Sequence, residues 1–325
     1  MFSSSPLSPP SDYDVILDAY GKLISHTPPG LSIKVLRAML DFAPSESGKI
    51  NIAHEILSSQ DISCLGDYYM NTMILPLRAS GGKTAPQSHP SGIDSVNDIA
   101  TTLDPSSRNF QRTLKQQLLL RDDNRCIITG TFDRGKYALL PDTERNSLAL
   151  NRVLTDDTQA CHIVPFVIAD FDDSSVCSAA AIWDAIIRMF PEVAREGDGN
   201  FNFINDHSNA ITLTADLHRS FGRFDFIMES TGVPHQYHLK HFNTISTRQL
   251  RDFPTIMMVH LQAHDNRWPL PSPRLLALHT AIGNIWHASG MADYVEKILR
   301  EVDSVRCFSK DGSTDVRFLR VLMAF

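Results

Sequence analysis

Ala160-Cys161-His162-Ile163-Val164-Pro165 is the stretch whose reading decides the fold. Its apolar and β-branched residues stop at a proline, so Gln159 to Val164 reads as a strand carrying a histidine. Upstream lies Arg125-Cys126-Ile127-Ile128-Thr129-Gly130, a short apolar piece that follows the turn Arg121-Asp122-Asp123-Asn124. Downstream, Ser208-Asn209-Ala210-Ile211-Thr212-Leu213 leads into Leu217-His218-Arg219-Ser220-Phe221-Gly222. Thr214 is predicted to cap a short helix from Ala215 to Phe221, and Gly222 to end it. The three pieces thus supply, in order, a histidine on a strand, an asparagine in a turn and a histidine on a short helix.

Cleaving a phosphodiester needs a base for water, a cation for the charge on the phosphate and leaving oxygen, and a scaffold holding both. Histidine suits the base because its ordinary pKa lies near neutrality. The order of the three pieces resembles the HNH nuclease family, and within it the branch with Cys-x-x-Thr-Gly before an Ala-x-His-Ile-x-Pro strand and a His-x-x-Phe helix, common in proteins of fungal type. That resemblance implies an α+β fold with a central HNH-like ββα-metal core, a β-hairpin packed on a helix around one divalent ion. It implies metal-dependent hydrolysis of DNA phosphodiesters, with magnesium or manganese as the ion and zinc as the alternative. Position by position, His162 matches the family's general base, Asn209 the asparagine that braces the loop, and His218 the helix histidine that binds metal. Cys126, with Thr129-Gly130, matches a structural signature of the branch.

The chain departs from the family at two positions. Cys161 stands where active members carry Asp or His as a second metal ligand, and a hard ion prefers oxygen to thiolate whereas zinc accepts sulfur. Gly222 stands where many relatives carry Asp; Asp225 and Asp216 are the nearby carboxylates able to compensate. Candidate metal ligands are therefore His218, Cys161 and Asp225. From another class comes the alternative of a catalytically silent HNH-fold module that binds nucleic acid or a protein partner, and a third reading makes the fold purely structural. A cysteine protease is excluded, because Cys161 and His162 are neighbours on an extended strand and point to opposite faces.

Working outward, Phe110 to Leu120 reads as an amphipathic helix and Ala179 to Phe190 as a helix inserted in the nuclease-like domain, stopped by Pro191. Phe224 to Met228 and Gln236 to Leu239 read as strands. The domains expected are a helical region over 1–78, a linker over 79–107, the HNH-like domain over 108–240 and a helical region over 241–325. The N-terminal region shows helical spacing from Asp12 to Leu23, over Ile33 to Leu40, Ser47 to Ser58 and Ile62 to Leu75. The linker's Gly82-Lys83-Thr84 imitates the end of a phosphate-binding loop, but Leu77 stands where its first glycine belongs and Pro86 blocks the following helix. His235, His238 and His241 recur by three, and His260 and His264 by one helical turn; lacking a glutamate beside His260, they read as solvated histidines.

Composition sets the outer limits. Among 325 residues, 42% are hydrophobic and 21% charged, ordinary globular values. With 37 acidic against 30 basic residues the net charge is -7, the wrong sign for coating nucleic acid, so contact with DNA should be local. Arg121, Arg125, Arg219 and Arg223 flank the motifs, with phosphate contacts and surface ion pairs as equal alternatives. Five cysteines without paired spacing point to reduced thiols inside the cell, in cytoplasm or nucleus. Residues 1–11 read as a Ser/Pro tail, and no apolar run reaches the roughly 18 residues of a membrane span.

Overall fold

The computed structural model describes residues 11–80, 105–165, 179–199, 204 and 206–304. The tail, the Gly82-Lys83-Thr84 stretch and Cys177 and Cys307 lie outside the described residues. Five helices open the chain: α1 (Asp12–Ile24), α2 (Leu31–Phe42), α3 (Glu46–Ser58), α4 (Ile62–Tyr69) and, after a π-helical turn over Met70–Ile74, α5 (Leu75–Ser80). Then come α6 (Pro105–Arg121), β1 (Phe132–Asp133), α7 (Arg134–Tyr137), α8 (Asp142–Leu150), β2 (Thr155–Asp156), β3 (Thr158–His162) and α9 (Ala179–Met189). Next are β4 (Ala210–Thr214), α10 (Ala215–Gly222), β5 (Phe226–Ser230), β6 (Gln236–His241), α11 (Thr247–Asp252), β7 (Met258–His260), α12 (Pro273–Ala288) and α13 (Met291–Ser304).

These elements divide into two compact units. The first holds the described residues of 1–76, 172–195 and 284–324. Ser11 and Asp14 form a reciprocal capping box that starts α1 and satisfies N–H groups the helix leaves open. α1 packs on α3, α2 on α4, and α9 on both α3 and the π-helical turn. A Cβ on Gly48 would stand 2.0 Å from the Met189 carbonyl oxygen, so backbone meets backbone between α3 and α9. Asn51 fastens the same contact by donating to the Arg188 carbonyl at 3.0 Å. The helix expected as an insert of the nuclease-like domain therefore packs with the N-terminal helices, because its apolar face (Ile182, Trp183, Ile186) is buried there.

The second unit holds the described residues of 77–171 and 196–283. β3 and β4 pair antiparallel, with His162 opposite Ala210 and Thr158 opposite Thr214. α6 covers this hairpin, burying Leu114 and Leu118 against Ala210 and Ala160. α10 also contacts both strands, so two strands and the helix that follows them make one ββα motif. β5, β6 and β7 form a separate antiparallel sheet. That sheet crosses the boundary expected at residue 240, and His260 lies on β7 rather than on a helix.

Arg121 ends α6 with its side chain wholly buried. Its Nε and Nη2 donate to the two carboxylate oxygens of Asp122 at 2.7 and 3.0 Å, and the remaining N–H groups reach the carbonyls of His207, Pro269 and Ala210. All five donors are used inside the protein, which settles this residue as a structural clamp. Two local expectations also change. Thr214 takes the N-cap position of α10, but its hydroxyl makes no capping bond. Gly222 is the last helical residue, and the left-handed turn that follows is made by Phe224, at φ 59°.

Candidate active site

The signature Cys126-x-x-Thr129-Gly130 is a tight turn, with the Gly130 N–H donating to the Cys126 carbonyl and the Cys126 N–H to the Thr131 carbonyl, both at 2.9 Å. Gly130 adopts φ 70°, a conformation glycine takes without steric cost. The turn docks on the hairpin through Ile127 N–H to the Thr212 carbonyl at 3.0 Å. Cys126 is buried as a free thiol.

Asn209 stands at the loop end of the hairpin, just before Ala210, and is fully buried. Its side-chain oxygen accepts from Val164 N–H at 2.9 Å, while its Nδ2 donates to the carbonyls of Val164 at 3.0 Å and Ile204 at 2.8 Å. Its own carbonyl accepts from Ile163 N–H at 2.8 Å. The amide thus continues the strand ladder beyond His162, fixing the chain immediately after that histidine.

His162 ends β3, and its Nε2 is enclosed by protein. Burial pushes its pKa down to about 4. His218, one turn into α10, is buried, and its pKa falls to about 4 through burial first and the nearby His162 second. The two imidazoles are therefore close enough to feel each other's charge, and both are neutral at neutral pH. His218 Nδ1 lies 2.7 Å from Gln159 Oε1. An amide oxygen only accepts, so the proton sits on Nδ1 and the lone pair on Nε2. Orientation of a ligand histidine by a partner on its other nitrogen is the usual arrangement at metal sites.

The remaining expected ligands are placed less favourably. Cys161 is 1% exposed, and burial, with Cys126 nearby, holds its thiol well above the ordinary range. A metal ligand must be thiolate, so this neutral thiol is poorly prepared. Asp225 is nearly buried and interacts with the Arg78 guanidinium. Asp216 is ion-paired with Arg219 on α10. Among the described residues no group of three or more His, Cys, Asp or Glu side chains is arranged to hold a metal. The chemistry fits a divalent ion in part: the His218 imidazole, with its lone pair on Nε2, is a nitrogen donor, which suits zinc better than the oxygen-preferring magnesium and manganese.

Residues 126–229 match the HNH endonuclease family. The HNH segment begins at the Cys126 turn, contains β3, Asn209 and α10, and ends in β5. No curated protein and no solved structure gives a significant match. The match supports an HNH endonuclease domain over that segment, about a third of the chain. No helix among the described residues is long and apolar enough to cross a membrane.

Three residues at this site have no counterpart in the reading of the sequence. Gln159 carries no local mark of its contact with His218. Arg78 lies far upstream. His279 was detectable as a polar residue beside the apolar stripe Leu275, Leu278 and Ile282; its Nε2 lies 3.0 Å from the Phe221 carbonyl and its ring stacks on Phe221 at 3.7 Å.

Proposed function

We propose that the protein is a metal-dependent endonuclease that hydrolyses DNA phosphodiesters, with His162 as general base, His218 as metal ligand and Asn209 as the brace that positions the base. The observation that carries this reading is the ββα motif, in which the end of β3 and the middle of α10 bring two neutral imidazoles together beside the Asn209 clamp. A neutral imidazole at His162 is in the form that accepts a proton from water. His218, oriented by Gln159, would hold the ion through Nε2. Cys161 we assign to the packing of β3 rather than to the metal shell, and Asp225 to the charge of Arg78. When bound, the ion supplies positive charge for the phosphate and the leaving oxygen.

Titration calorimetry with magnesium, manganese and zinc tests the metal part. One site should be present in the wild type and lost in His218→Ala, with zinc bound more tightly than magnesium. Equal binding of the same ion by wild type and His218→Ala would refute His218 as the ligand.

A further inference from the structure

α1 carries two apolar stripes, and one of them faces water. Val15, Ile16, Ala19 and Leu23 are buried in the first unit. Tyr13, Leu17, Tyr20 and Ile24 recur by four, three and four, the spacing of a seam that packs on another helix. Tyr13, Leu17 and Ile24 are 68%, 49% and 61% exposed. The half-buried Tyr20 is steadied by its hydroxyl, which donates to Asp41 at 2.7 Å. Among the described residues of this unit, the large exposed apolar side chains are these three and Tyr294, so three of the four lie on one line. An apolar line of this kind marks a place where something packs. Gly21 leaves room beside Tyr20, since a Cβ there would meet nothing within 4 Å.

The rim of the stripe is acidic. Asp14 and Asp18 follow Tyr13 and Leu17 in sequence and are exposed. Lys22, the cation of this helix, turns away from them and donates to the carbonyls of Leu57 and Ser59 at 3.0 and 2.7 Å.

The sequence holds a segment of matching length and opposite charge. Residues 316–325, Val-Arg-Phe-Leu-Arg-Val-Leu-Met-Ala-Phe, comprise eight apolar residues, two arginines and no acid. At the helical period Phe318, Leu322 and Phe325 fall on one stripe, with Arg317 and Arg320 along one side of it. Ten residues of helix span about 15 Å, and the line from Tyr13 to Ile24 about 17 Å. α13 belongs to the same unit as α1 and ends at Ser304. From there to Val316 the chain reaches at most about 40 Å, the full breadth of a unit this size.

We propose that residues 316–325 dock along the face of α1 made by Tyr13, Leu17, Tyr20 and Ile24, with Arg317 and Arg320 toward Asp14 and Asp18. Removing apolar side chains of both partners from water drives the contact, and the opposite charges fix its register. The docking surface does not depend on the nuclease reading.

The test is hydrogen exchange of the full chain, followed by mass spectrometry of its peptides. In the wild type the amides of residues 316–325 should exchange at least about tenfold more slowly than those of an unstructured chain. Leu17→Ser combined with Ile24→Ser, both at exposed positions, should abolish that protection while α3 keeps its own. Arg317→Glu combined with Arg320→Glu should weaken it as well, and Asp18→Arg added to that pair should restore it. If the serine pair loosens α3, the charge reversal decides, and no recovery with Asp18→Arg overturns the proposal. Free exchange of residues 316–325 in the wild type would overturn it, as would protection that survives the serine pair. Protection lost on dilution, with the mass of two chains in light scattering, would give the face to a second copy and overturn the intramolecular docking.

Discussion

Asn209 shows how one side chain fixes the chain that follows the proposed base. Its amide satisfies three buried backbone groups at once. Asn209→Ala should therefore lower unfolding free energy by about 3–5 kcal/mol, each orphaned buried group costing roughly 1–3 kcal/mol. Chemical denaturation measures this, and a loss under about 1 kcal/mol would show that water replaces the amide. His279 illustrates a second residue effect. Buried against Phe221, it is pushed down to about 3, so the folded protein keeps it neutral while the unfolded chain protonates it below about 6.5. Its depressed pKa makes stability complete above the unfolded value and lost as pH falls from there toward 3. Between pH 7 and 5 this one group should remove about 2 kcal/mol. The fall in unfolding free energy over that range should be shallower by that amount in His279→Leu, and an unchanged fall would assign the pH dependence to other groups.

At the scale of elements, the ββα motif was legible because its residues are local. A strand stopped by Pro165 and a short helix between Thr214 and Gly222 can both be read from neighbours in the chain, and the order of His162, Asn209 and His218 then brings the resemblance. What stayed hidden depends on contacts between distant segments. The Gln159 to His218 bond spans strand and helix, α9 left the expected domain because its partner faces lie on the N-terminal helices, and β7 pairs with β6 through only three residues. Gly222 does end α10, but it is Phe224 and not a glycine that takes the left-handed conformation beyond it. Phe224 takes the left-handed turn because its ring is buried against His279, and that packing outweighs the preference for glycine. Packing of α12 on β5 supplies the test at this scale. A Cβ on Gly283 would stand 2.5 Å from Ile227 Cγ2. Gly283→Ala should cost about 1–3 kcal/mol as β5 and α12 move apart. A neutral or stabilising result in thermal unfolding would mean the helix and sheet are free to adjust.

The whole molecule carries a net charge of -7, so under the proposed function engagement with DNA depends on a few placed cations rather than on a general field. Of the four arginines flanking the motifs, Arg121 is used wholly inside the fold, while Arg125 and Arg219 pair with Asp123 and Asp216. Arg223, the fourth, is exposed at the C-cap of α10. The central claim is that these histidines cut DNA. It is tested most directly by nicking of supercoiled plasmid at low salt with manganese, magnesium or zinc, comparing wild type with His162→Ala after both are shown to melt at similar temperature. We expect metal-dependent nicking by the wild type and a loss of at least about 100-fold in His162→Ala, the contribution of a positioned general base. Nicking at the wild-type rate by His162→Ala would contradict the account.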